Sequence, residues 1–131
     1  MTEAGLILGA ALGDLRWQVH LISVEYGAEM LRARLGEIAA GAAALLGRAL
    51  PDRIIDQLHI HVDQLGAGYA VPTPSSVAAA GTIARSEALM LEQVHVAKTF
   101  SGLLDLVRTG AIPADEPACI LHSGGTPTLF V

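Results

Sequence analysis

Apolar and polar positions along the chain switch repeatedly between two periods. Ala4 to Leu12 is helix-compatible and stops at Gly13, a residue suited to a helix C-terminus. Trp17 to Tyr26 then carries Val19, Leu21, Ile22 and Val24 in a nearly continuous apolar run, the pattern of a strand covered on both faces. From Glu29 to Ala49 the residues Leu31, Leu35, Ile38, Ala42, Leu45, Leu46 and Ala49 return every three or four positions, on one face of a long helix that Pro51 ends. Strict alternation follows between Gln57 and Asp63, with Leu58, Ile60 and Val62 on one face and Gln57, His59, His61 and Asp63 on the other. A breaker-rich loop, Gly66 to Pro74, hands over to a helix with Thr73 as N-cap and Pro74 at its first position, running through Val77, Ala80, Ala84 and Ala88. A last helix uses Val96, Phe100, Leu103, Leu104 and Val107, with Arg108 in its final turn and Gly110 and Pro113 beyond. The apolar run Ala118-Cys119-Ile120-Leu121 then reads as a C-terminal strand that opens into a Gly-Gly turn.

This order, helix, strand, helix, strand, helix, helix, strand, predicts an α/β fold: a partial doubly wound parallel sheet with flanking helices and right-handed crossovers. No repeat, low-complexity tract or linker interrupts it, so residues 1–131 read as one α/β segment.

Composition changes the picture in one respect. Apolar residues make up 52% of the chain and charged residues 16%, where about 25% is ordinary. A small domain needs more polar surface than a large one, so the surplus calls for a covering: another copy of the chain, or the rest of a larger α/β body. No run approaches the roughly 18 to 20 apolar residues of a membrane span. The N-terminus has no basic region of a secretory signal, and the single cysteine, Cys119, cannot form an internal disulfide, so the expected compartment is the cytoplasm. A net charge of −5 without a Lys/Arg cluster argues against nucleic acid.

Four places carry candidate chemistry. His59, His61 and Asp63 line one face of a strand about 6.6 to 7 Å apart, a spacing open to metal ligation, although a half-exposed strand has a polar face for no other reason than solvation. Ser123, Thr126 and the Gly124-Gly125 amides can form a nest for an anion or a ring nitrogen, or simply a turn at a strand end. Tyr69 follows two glycines in a loop after a strand, where a phenol can serve as proton donor or merely pack. His95 and Lys98 lie one turn apart near a helix start, as a catalytic pair or an exposed one.

Taken together, Gly66-Ala67-Gly68-Tyr69-Ala70-Val71-Pro72, Ala84-Arg85-Ser86-Glu87, Val94-His95-Val96-Ala97-Lys98, Gly102-Leu103-Leu104-Asp105-Leu106-Val107-Arg108 and His122-Ser123-Gly124-Gly125-Thr126-Pro127 resemble the C-terminal part of the D-cysteine desulfhydrase and 1-aminocyclopropane-1-carboxylate deaminase family. Thr2-Glu3-Ala4-Gly5-Leu6 is similar to the tail of that family's phosphate loop. The resemblance implies a fold type II pyridoxal-phosphate enzyme, like the tryptophan synthase β-subunit, acting on a small amino acid. It implies cofactor contacts at Thr2 (phosphate), Ser123 (pyridine nitrogen) and Gly124, and catalytic roles for Tyr69 and His95. The family usually has Val-Tyr-Thr/Glu-Gly-Lys where this chain reads Val94-His95-Val96-Ala97-Lys98. Val96 stands where the deaminase branch places a glutamate on the pyridine nitrogen, which makes the desulfhydrase branch the closer relative.

The family's lysine that holds the cofactor as an aldimine belongs to its N-terminal region, and the only lysine here, Lys98, matches a different family position. The expectation is therefore the C-terminal, cofactor-binding portion of a lyase that eliminates from a small amino acid to give ammonia and a keto acid, with little turnover by this chain alone. It would associate with itself or with the N-terminal portion. The alternatives are half of a split enzyme that needs a second chain, or a non-catalytic binding or interaction module, for which His59 and His61 offer one metal site.

Overall fold

The structure is a computed structural model that describes residues 2–51, 58–125 and 129. Its elements are α1 (Thr2–Leu12), β1 (Val19–Ile22), α2 (Ala28–Leu45), β2 (Leu58–His61), α3 (Pro74–Glu87) and α4 (Val96–Arg108). They form two compact units, one of Met1–Leu21 with Tyr26–His61 and one of Ile22–Glu25 with Val62–Val131.

In the first unit β1 and β2 make a small two-stranded parallel sheet joined through α2. Alternation buries Val19 and Leu21 of β1 and Leu58 of β2 against Ala4, Ile7, Leu8 and Ala11 of α1 and Leu35, Ala39 and Ala43 of α2. The buried stripe of α2 is thus a row at steps of four, two of its three members alanine. Leu45 and Leu46, which the periodicity assigns to the core, are 91% and 62% exposed. The reason is steric: alanines let two helices approach closely, and the larger side chains at the end of α2 lie beyond that contact. Gln57, expected on the polar side of the second strand, lies outside the described residues.

In the second unit Ala80 and Ile83 of α3 pack on Leu91, Val96, Ala97 and Phe100. Helix α3 begins as its sequence requires: the Thr73 side chain accepts from the Ser76 N–H at 3.0 Å, and the Ser76 hydroxyl accepts from the Thr73 N–H at 3.0 Å. Gly102 lets α4 sit close to Ile22, since a Cβ there would fall 2.6 Å from Ile22 Cδ1.

The expected C-terminal strand is not formed. Ala118 to Leu121 has no ladder partner among the described residues, and Cys119 and Leu121 are exposed. A central parallel strand needs a neighbour along its edge and cover on both faces, and here the run has neither. No helix among the described residues is long and apolar enough to cross a membrane.

Candidate functional site

The site in the second unit is built on the N-terminus of α4. Glu92 precedes that helix and is 2% exposed. Its Oε2 accepts from the Val94 N–H at 2.7 Å, and its Oε1 accepts from the N–H groups of His95 at 2.8 Å and Val96 at 2.6 Å. A carboxylate at a helix N-terminus satisfies amides that have no partner inside the helix and complements the helix dipole. The same Oε1 lies 3.5 Å from Nδ1 of His95. Across the ring, His95 Nε2 is 3.4 Å from the Tyr69 hydroxyl, with the two rings edge to face.

Tyr69 is held in place from below by Lys98. That side chain is fully buried, and its Nζ donates to the carbonyls of Leu65 at 2.9 Å and Gly68 at 3.1 Å. A buried amine is tolerated in the interior when such acceptors satisfy it. The loop needs its glycines: Gly66 has φ +63 and a Cβ there would come 2.5 Å from Thr73 Cγ2. Gln64, also buried, ties the loop base to its surroundings by donating to Asp105 Oδ2 at 2.9 Å and accepting from the Ser75 hydroxyl at 3.1 Å.

The Gly-Gly turn adjoins the same helix end. Gly124 and Gly125 have φ +121 and +85, and a Cβ on Gly125 would collide with Cγ and Cδ of Glu92. Ser123, just before them, is exposed. The structure therefore brings Tyr69 against His95, and it seats Gly125 on the Glu92 carboxylate that caps the same helix. Thr126, the other candidate of the turn, lies outside the described residues. Thr2 is exposed in the first turn of α1, in the first unit. Glu92 escapes a sequence reading because a single acid before a helix looks like any solvated one. The available signal was its place four residues before Val96, where a carboxylate can reach the first amides of the helix.

On the first unit's sheet, His20 of β1 lies between two histidines of β2, stacked on His59 at 4.8 Å and on His61 at 5.2 Å between ring centroids. His20 Nδ1 and His61 Nε2 share a hydrogen bond of 3.0 Å. Burial, and then the charges of His59 and His61, lower the pKa of His20 below its ordinary 6.5. Among the described residues no group of three His, Cys, Asp or Glu side chains is disposed to hold a metal ion, so His59, His61 and Asp63 do not form the ligand set their spacing allowed. Two of the three are occupied in ring stacking instead.

No protein-family profile matches the chain. It is 31% identical over 128 residues to a 1-aminocyclopropane-1-carboxylate deaminase of Rhizobium radiobacter, a match covering 98% of the chain and 38% of that relative. It is 30% identical over 134 residues to a D-cysteine desulfhydrase of Salmonella paratyphi B, again over 98% of the chain and 38% of the relative. Among solved structures, a 1-aminocyclopropane-1-carboxylate deaminase homologue superimposes with a TM-score of 0.70 at 27% identity, over 82% of this chain and 31% of the other. The chain thus spans under two fifths of the length of the curated relatives it matches. Its sequence corresponds to the C-terminal portion of the fold type II pyridoxal-phosphate family that includes 1-aminocyclopropane-1-carboxylate deaminase and D-cysteine desulfhydrase.

Proposed function

We propose that the chain is the cofactor-binding portion of a D-cysteine desulfhydrase-like lyase, which converts a small amino acid to a keto acid and ammonia by β-elimination. The observation that carries this reading is the seating of Tyr69 on His95 at the start of α4, with Gly125 packed on the Glu92 that caps the same helix. The donor set suits a pyridine ring: an exposed hydroxyl at Ser123 and, at Gly124, a backbone with nothing within 4 Å of where a Cβ would stand. Ser123 would hold the pyridine nitrogen, and Gly124 would let the ring approach. Pyridoxal phosphate, when bound, supplies an electron sink for the charge left by a departing substrate proton, a weaker one opposite a neutral hydroxyl than opposite a carboxylate.

The remaining chemistry falls to side chains. The Tyr69 hydroxyl, half exposed, gives or takes a proton at the substrate, with His95 behind it. Val96 is 2% exposed and packs in the core, so position 96 offers no carboxylate to a ring nitrogen, which favours the desulfhydrase branch over the deaminase branch. Lys98, the only lysine in the sequence, is committed to the Leu65 and Gly68 carbonyls, so a lysine that anchors the cofactor would come from outside these residues. On this reading the chain alone turns over little or nothing.

Coexpression with the lysine-bearing region of a desulfhydrase should give a yellow complex that releases ammonia from D-cysteine, and Tyr69→Phe should lower kcat about 100-fold or more. A colourless, inactive mixture, or full activity in Tyr69→Phe, would count against the proposal. The exposed Leu45 and Leu46 fit a surface that another copy of the chain or the rest of a larger body covers.

A further inference from the structure

We propose that Glu92, His95 and Tyr69 form a proton relay, in which Glu92 is a positioning residue that fixes the imidazole tautomer and His95 takes the phenol proton. The carboxylate of Glu92 is almost completely buried and immobilised by three backbone N–H groups. A carboxylate can only accept, so the Glu92 charge 3.5 Å from Nδ1, a contact just outside hydrogen-bond geometry, favours the tautomer with hydrogen on Nδ1. In that tautomer the lone pair is on Nε2, the atom 3.4 Å from the Tyr69 hydroxyl. The phenol is consequently the donor and the imidazole the acceptor. This is the logic by which a buried acid sets the tautomer of a catalytic histidine in hydrolase triads, arrived at here in an unrelated fold.

Transfer along this line balances without any other reactant. The Tyr69 O–H bond breaks as a Nε2–H bond forms, leaving a phenolate and an imidazolium, and the imidazolium lies between that phenolate and the Glu92 carboxylate. The reverse step returns the proton. Tyr69 is 51% exposed and the His95 side chain 47%, so the hydroxyl remains open to a ligand while the carboxylate behind it is sealed from water. Lys98 contributes indirectly by gripping the loop on which Tyr69 stands. Use of the relay in β-elimination rests on the function proposed above. The relay itself does not.

The test is made on the full chain without cofactor, by long-range proton–nitrogen correlation of the nitrogen-labelled histidines near neutral pH. The expected spectrum shows His95 with Nδ1 protonated and Nε2 bare, and Tyr69→Phe, which removes only the hydroxyl, shifts the Nε2 resonance while Nδ1 stays protonated. Glu92→Gln should mix the two tautomers. Should that variant fail to fold, Tyr69→Phe decides. His95 protonated on Nε2, or an Nε2 resonance indifferent to Tyr69→Phe, overturns the relay. Neither result depends on cofactor binding, so failure here and failure of the proposed function are separate outcomes.

Discussion

His20 shows how a single residue ties stability to pH. Its pKa is lowered by burial and by the neighbouring His59 and His61, so the folded chain disfavours the imidazolium and the unfolded chain binds more protons around the ordinary value of 6.5. Stability is therefore fully present above that value and declines as the pH falls below it. Urea titrations should show the midpoint decreasing between about pH 7.5 and about pH 5.5, and the decrease should flatten in His20→Gln. A profile identical in the two proteins would show that the stack contributes nothing. His20 was not singled out in the sequence, because Val19 to Val24 reads as a continuous apolar run and hides one polar position. Tyr69, His95, Ser123 and Gly124 were legible as residue types at breakers and helix starts. The pairing of Tyr69 with His95 was not, nor the seating of Gly125 on Glu92, because these contacts join positions 26 and 33 apart in sequence.

At the scale of elements, local signals located four helices and two strands, and packing decided their faces. The start of α3 is the clearest case: Thr73, Pro74 and Ser76 specify a capped terminus, and the structure has both reciprocal bonds. Thr73→Ala should lower stability by about 1 kcal/mol, read as a shift in the urea midpoint at unchanged slope, with Thr73→Ser close to the natural protein. Equal loss in the two variants would show that the methyl group, which touches Gly66, matters more than the hydroxyl. Helix α2 was predicted in place but on the wrong face toward its end, since hydrophobic periodicity weights Leu45 and Leu46 above Ala39 and Ala43, whereas close helix contact prefers the alanines. The run at 118–121 carries strand-like residues but no neighbouring ladder among the described residues, and composition cannot report on a neighbour.

For the whole molecule, the apolar surplus in the composition reappears as exposed side chains: Leu45 at 91%, Leu46 at 62% and Met90 at 64%. Replacing Leu45 and Leu46 by glutamine should reduce self-association in sedimentation experiments with a change in stability of no more than about 0.5 kcal/mol, because neither side chain is in the core. A large loss of stability would mean that these residues are covered in solution. On the function proposed above, this chain supplies one side of a pyridoxal-phosphate site while the anchoring lysine comes from elsewhere. Mixing the chain with pyridoxal phosphate, reducing with borohydride and mapping the adduct by mass spectrometry tests it most directly, since Lys98 is the only lysine in the sequence. Lys98 is expected to remain unmodified in the folded protein, and stoichiometric pyridoxyl on Lys98 would contradict the account.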